Sequence, residues 1–225
     1  MAERKIVTTS EINRALLKEL EVTKTVQLTR LGGQHCVAVG LPAGCTVQVE
    51  GNAGDFFGAL NAGASLSLNG NAGRFCGDTM SSGELVVNGD CGSGAGQYMR
   101  GGTLVVKGDC RGPAAQMMRG GTVVIDGSVG RAAGKYMMLG ELVIAGDAGE
   151  LTGENMMGGV IYILGEPPSL GLNARISRPG PEELERLRHL HRQYKFRRVQ
   201  DEEALSDFQK ISPETRRPLI GEVRM

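Results

Sequence analysis

Residues 108–126 read GDCRGPAAQMMRGGTVVID, and residues 127–145 follow at once with GSVGRAAGKYMMLGELVIA. The second stretch repeats the first position by position at a spacing of 19: Gly108 with Gly127, Cys110 with Val129, Met118 with Met137, Gly121 with Gly140, Val123 with Leu142, Ile125 with Ile144. The register extends outward without a slip. One glycine series runs Gly51, Gly70, Gly89, Gly108, Gly127, Gly146, Gly165, and a second runs Gly83, Gly102, Gly121, Gly140, Gly159. A fixed period over more than a hundred residues means one short unit copied and stacked.

Each copy ends in apolar residues at alternate positions: Leu66 and Leu68, Leu85 and Val87, Leu104 and Val106, and so on to Ile161 and Ile163, which read as one phase off. Alternation over four or five residues marks a half-buried strand. A weaker copy precedes them, where Ala43-Gly44-Cys45 leads into Val47 and Val49. The rest of the unit lacks a helix-length amphipathic pattern, and glycine weakens a helix interior by about 1 kcal/mol each. Nineteen residues of extended chain trace about 60 Å at roughly 3.3 Å each, enough for one closed three-sided coil. It is too short for a strand–helix–strand unit of about thirty residues. The pattern predicts an all-β core, a single-stranded right-handed parallel β-helix of 19-residue coils, with flanking α-helices.

Stacking about 4.8 Å apart turns equivalent positions into columns. Met80, Met99, Met118, Met137 and Met156 form one, and Ala53, Ala72, Cys91, Cys110, Val129 and Ala148 another. No histidine joins the methionines, so they read as gap-filling core rather than a soft-metal or haem site. Asn52, Asn71, Asp90, Asp109, Ser128 and Asp147 form a third column, read as turn-capping chemistry. Calcium-binding repeats need a nonapeptide period that is absent.

The chain has 225 residues, 35 glycines, no tryptophan and only 4% aromatic residues, so its core must be aliphatic. Its 25 basic and 25 acidic residues balance, giving no bulk attraction to nucleic acid or membrane. The five cysteines, Cys36, Cys45, Cys76, Cys91 and Cys110, have neither zinc nor iron–sulfur spacing. Cys91 and Cys110 fall on adjacent coils, where a disulfide is conceivable and two buried thiols are the plainer reading. The opening MAERKIVTTSEIN carries no apolar signal segment, so a cytoplasmic protein is expected.

The domains read as 1–31, an N-terminal helix and cap; 32–166, the glycine-repeat β-helix; and 167–225, a charged helical tail for partner docking. In the first, Thr8 and Glu11 fit a capping box, Val7 and Ile12 a hydrophobic staple, and Ile12, Leu16, Leu17 and Leu20 an apolar face. In the last, Pro181, Glu182 and Glu183 open a helix. The tail reads as solvated apart from the apolar anchors Phe196, Phe208, Ile211 and Leu219.

Several chemical motifs fail on inspection. Gly130-Arg131-Ala132-Ala133-Gly134-Lys135 has one residue too few for a phosphate loop, and no hydroxyl residue follows its lysine. Gly92-Ser93-Gly94-Ala95-Gly96 lacks the context of a dinucleotide site. His35, His189 and His191 form no triad or metal pattern. No catalytic, cofactor-binding or metal-binding residue is assigned.

The unit G-x-x-G-x-x-x-G followed by a Gly-Gly-x-strand, together with Asp207-Phe208-Gln209-Lys210-Ile211-Ser212-Pro213 in the tail, resembles the glycine-repeat (GXGXG) β-helix of the glutamate synthase large chain. The repeat is also similar to the C subunit of formylmethanofuran dehydrogenase. By size and arrangement the chain looks most like the stand-alone β-helix subunit of N-methylglutamate synthase (methylamine–glutamate N-methyltransferase). The resemblance implies a non-catalytic scaffold that holds an amidotransferase-like and a synthase-like subunit in register for amine transfer. A split glutamate synthase or formylmethanofuran dehydrogenase is the alternative it leaves open. It further implies no cofactor in this chain, with FMN and an iron–sulfur cluster in the synthase-like partner.

Overall fold

The computed structural model describes residues 8–215. Val7 and Leu219 therefore lie outside the described residues. The chain forms a parallel β-solenoid of about 7 turns with 19-residue coils and 2 flanking helices. Helix α1 (Thr9–Val22) is followed by strands β1 (Thr25–Gly32), β2 (Thr46–Asn52), β3 (Ala62–Asn69), β4 (Ser82–Val87) and β5 (Thr103–Val106). Next come β6 (Arg119–Ile125), β7 (Leu139–Ile144), β8 (Val160–Ile163) and β9 (Ala174–Ser177). Helix α2 (Pro181–Tyr194), a 3-10 turn (Glu203–Asp207) and β10 (Gln209–Pro213) complete the order.

Strands β1 to β8 stack in parallel, one per coil, and their register is the sequence period: Leu85 pairs Leu104, Leu104 pairs Val123, Val123 pairs Leu142, Leu142 pairs Ile161. Ile161 and Ile163 thus stay in phase with the earlier copies. The stack also starts a coil before the glycine series, because β1, within the stretch read as a cap, pairs with β2. A second line of parallel bridges joins Ala72, Cys91, Cys110, Val129 and Ala148 on another side of the coil. Both predicted columns face the axis: the five methionines are fully buried, and the small-residue column is at most 7% exposed.

Glycine is required where coils approach most closely. A Cβ on Gly121, at φ +87°, would lie 2.7 Å from the carbonyl oxygen of Gly102 one coil away. One on Gly108 would meet the Gly89 backbone at 2.8 Å.

Helix α1 closes the N-terminal end. Its capping box is formed: the Glu11 N–H donates to Thr8 Oγ1, and the Thr8 N–H donates to Glu11 Oε2. Leu16 and Leu20 are buried and Ile12 packs against the core, but Leu17 is 46% exposed, so the apolar face is narrower than the sequence pattern suggests. Asn13 anchors the helix, donating to the Cys36 carbonyl at 2.7 Å and accepting from the Ala38 N–H at 2.9 Å.

Residues 181–213 fold back on the solenoid. Strand β10 inserts antiparallel between β8 and β9, ending the parallel stack. Phe196, Phe208 and Ile211, read as anchors for a partner, are buried inside the chain itself.

Candidate interaction surface

The strands present two faces. Inward residues fill the axis, and outward residues at the strand centre run Gln48, Ser67, Val86, Val105, Val124, Val143, Tyr162. The first two are polar and the rest apolar, so the outer face changes character between β3 and β4. The C-terminal segment covers the apolar part: Leu187, Leu190, Tyr194, Phe196, Leu205 and Phe208 form a second core with Val105, Val124, Val143 and Tyr162. Burying those side chains at about 25 cal/mol per Å² supplies the adhesion.

Polar groups at the margins of this second core fix its register. Arg186 pairs with Glu141, its Nη2 also donating to Thr122 Oγ1 at 3.2 Å. Tyr194 donates its hydroxyl to Glu84 at 2.7 Å, and Lys107 donates to the Tyr194 carbonyl. Asp126, whose side chain is fully buried, accepts from the Arg197 N–H at 2.7 Å and Nε at 3.2 Å. Lys210 pairs with Glu183 at 2.5 Å. Burial alone would raise the Glu183 carboxyl, but hydrogen bonds from Lys210 and the Gly180 N–H outweigh it and hold the group below its usual range. Burial raises the Tyr162 phenol, with Glu183 and Glu141 adding to the shift, so it stays a neutral donor.

The acidic and amide column does something other than local turn capping. Each side chain accepts from the backbone N–H of its equivalent on the next coil: Asn71 to Asn52, Asp90 to Asn71, Asp109 to Asp90, Ser128 to Asp109, Asp147 to Ser128, at 2.8–3.1 Å. The column ties coils together, one side-chain oxygen of each residue from Asn52 to Ser128 accepting from the next coil's backbone. Among the described residues no group of three or more His, Cys, Asp or Glu is arranged to hold a metal.

The failed motifs find structural employment. Gly96 lies where a Cβ would strike Val123 at 2.6 Å, and Gly94 where it would strike the Phe75 ring at 2.5 Å. Lys135 rests 5.1 Å over the Tyr136 ring. Cys91 and Cys110 are bridged neighbours, both free and buried. The Cys91 thiol is raised well above its ordinary value, first by its hydrogen bond to Cys76 and then by burial. The Cys110 thiol is pushed up to about 12, mainly by burial. A thiol so disfavoured as thiolate is a poor nucleophile. His35 Nδ1 accepts from the Asp55 N–H at 2.9 Å, and His191 packs edge-on against Phe196; His189 is exposed. None of the described helices is long and apolar enough to cross a membrane.

These features build a packed solenoid whose side-chain columns bind one coil to the next. The family model described as the GXGXG motif matches residues 13–178. No curated protein matches the chain. The match runs from within α1 through every parallel strand to β9, and supports a glutamate-synthase-like GXGXG domain. The chain belongs to the GXGXG motif family.

Proposed function

We propose that this chain is the scaffold subunit of a glutamate-synthase-like FMN enzyme complex, of the N-methylglutamate synthase (methylamine–glutamate N-methyltransferase) type. Its role is mechanical, to hold an amidotransferase-like and a synthase-like subunit at a fixed separation. The supporting observation is the family match over a solenoid whose axis is filled by methionine and aliphatic columns. Such a rod resists bending, because coil spacing is fixed by backbone hydrogen bonds that recur at each turn, as from Arg100 to Met80, Arg119 to Met99 and Met138 to Met118 at 2.7–2.8 Å. An amine passed between two active sites protonates and diffuses away unless the sites are held in register, and a stiff spacer supplies that constraint.

In this reading FMN and the iron–sulfur cluster sit in the synthase-like partner, and no residue of this chain is assigned to them. Four of its five cysteines are buried in the solenoid core and only Cys36 is exposed, a distribution unsuited to a four-thiolate cluster. Native mass spectrometry of the complex formed by this chain, followed by assays with methylamine and with ammonia, tests the proposal. Formation of N-methylglutamate is the expected result. Formation of glutamate alone reassigns the reaction while keeping the scaffold role, and a chain that binds neither partner refutes it.

A further inference from the structure

At the corner leading into the strands, Leu60 and Tyr98 hold the same position of the 19-residue unit, and both are exposed large hydrophobics. On the same corner Tyr98, Met117 and Tyr136 stack coil upon coil, with Gln97, Gln116 and Lys135 beside them, around a cleft of about 210 Å³. Tyr98, Met117 and Tyr136 sit at φ 55°, 52° and 55°. That left-handed region favours glycine and is costly for bulky residues. Large side chains are kept where the backbone would prefer none.

Two residues beyond Tyr98 and Met117 on this corner are Arg100 and Arg119, exposed and stacked one coil apart. Neither makes an ion pair or side-chain hydrogen bond among the described residues, although Arg74, Arg131, Arg186, Arg188, Arg192 and Arg197 all do or pair with acids. Like charges directly opposite each other on neighbouring strands are unfavourable, and here nothing intramolecular compensates them. With Lys135 they make the middle of the ridge both apolar and positive.

We propose that this ridge is a docking surface for a protein partner that presents carboxylates to Arg100 and Arg119 and an apolar side chain to the Tyr98–Met117–Tyr136 cleft. The proposal rests on the scaffold reading and names the face on which one subunit sits. A second copy of this chain is a poor occupant, since a two-fold axis through the ridge centre brings the same cations together. The C-terminal segment has already covered the apolar part of the sheet face, whereas Leu60 and Tyr98 on this corner stay exposed.

The test reconstitutes the full chain with the amidotransferase-like and flavin-binding subunits of the proposed complex and measures affinity by biolayer interferometry. Two variants are used: the double reversal Arg100→Glu/Arg119→Glu, and Tyr98→Gly. The first removes no internal contact, and the second trades some surface packing for relief of a left-handed tyrosine, so both are expected to stay folded, as thermal melts check. Each is expected to weaken binding of one subunit at least about tenfold, the reversal also flattening its salt dependence. Hydrogen exchange should slow at residues 97–100, 116–119 and 135–139 in the complex. A complex of wild-type affinity in both variants overturns the ridge and leaves the scaffold reading standing. Absence of any complex with either subunit overturns both. Self-association of the chain that the variants abolish overturns the choice of partner.

Discussion

Gly44, Gly120 and Gly121 separate two reasons for glycine that the repeat normally superimposes. Gly44 has φ +78° and nothing within 4 Å of a built Cβ, so Gly44→Ala meets only the left-handed penalty. Gly120 needs no left-handed φ, but its Cβ would lie 2.5 Å from the Arg100 carbonyl oxygen, so Gly120→Ala meets only the neighbouring coil. Gly121 combines both, with φ +87° and contacts of 2.7 Å to the Gly102 oxygen and 2.9 Å to the Gly101 carbonyl carbon. The left-handed term costs about 1–2 kcal/mol, reduced by about 0.5 kcal/mol because alanine restricts the unfolded chain. Relief of the inter-coil clash resembles overpacking of a tight core, about 1–3 kcal/mol, since the obstacle is backbone and has no rotamer to change. Gly44→Ala is therefore expected to cost about 1 kcal/mol, Gly120→Ala about 2, and Gly121→Ala about 3–4. At roughly 2–4 °C per kcal/mol for a chain of this size, thermal melts followed by circular dichroism resolve the order. A Gly44→Ala loss equal to that of Gly121→Ala would refute the reasoning: the glycines would then serve backbone conformation alone, and coil spacing would not constrain the sequence.

Three further outcomes are expected. Phe208→Ala should cost about 3–5 kcal/mol and speed hydrogen exchange in α2, because Phe208 is fully buried beneath the C-terminal cover; unchanged exchange there would show that the second core does not hold the helix. Met118→Ala should cost about 2–5 kcal/mol and Met118→Leu under about 1.5, the methionine column being packed and apolar; equal losses in urea melts would contradict a merely space-filling role. Acid should destabilise the fold through the Glu183 and Asp55 carboxyls, both held below their ordinary range, Asp55 chiefly by Arg74. For such groups the stabilisation is present above the unfolded values near about 4 and is lost as pH falls through the folded values. Asp78, raised by burial, works in the opposite sense. Melting temperature should thus fall between about pH 5 and 3, and Glu183→Gln should make the fall shallower; an unchanged slope in the variant would remove Glu183 from the account.

The solenoid was legible because its cause is local and repeated. A 19-residue period forces Met99 above Met80 and Cys110 above Cys91 whatever the rest of the chain does. The C-terminal segment was not legible, because its anchors Phe196 and Phe208 have no period and say only that something apolar covers them. The complementary signal lay elsewhere, in the strands. Leu104-Val105-Val106, Val123-Val124-Ile125 and Leu142-Val143-Ile144 are apolar on both faces, whereas Val47-Gln48-Val49 and Leu66-Ser67-Leu68 alternate. Strands buried on both sides read as continuous apolar runs, so the change after the third coil predicts a cover over the later ones. The first strand was missed because Thr25–Gly32 precedes the glycine marks. The Asn/Asp column was misread as local because side-chain oxygens that cap a turn and those that reach the next coil demand the same residue types.

Both ends of the stack are closed by the chain itself, and this decides how it can be used. Helix α1 seats Leu16 and Leu20 against the first coil, and β10 runs antiparallel to β8, so the last parallel edge is already paired. Of the two edge strands, β1 lies beside α1, and β9 is four residues long and carries Arg175 on an exposed side, features that discourage another strand from adding. A solenoid without such closures grows end to end into fibres. With them, the surfaces left for other proteins run along the rod: the polar part of the sheet face, with Gln48 and Ser67, and the apolar, cationic corner. In the proposed scaffold role, lateral docking on a stiff rod would set the distance between two bound subunits by counting coils. A deletion of one 19-residue unit would then move two laterally bound partners about 4.8 Å closer while preserving every stacking contact type, whereas deletion of part of a unit would rotate one site to a different face.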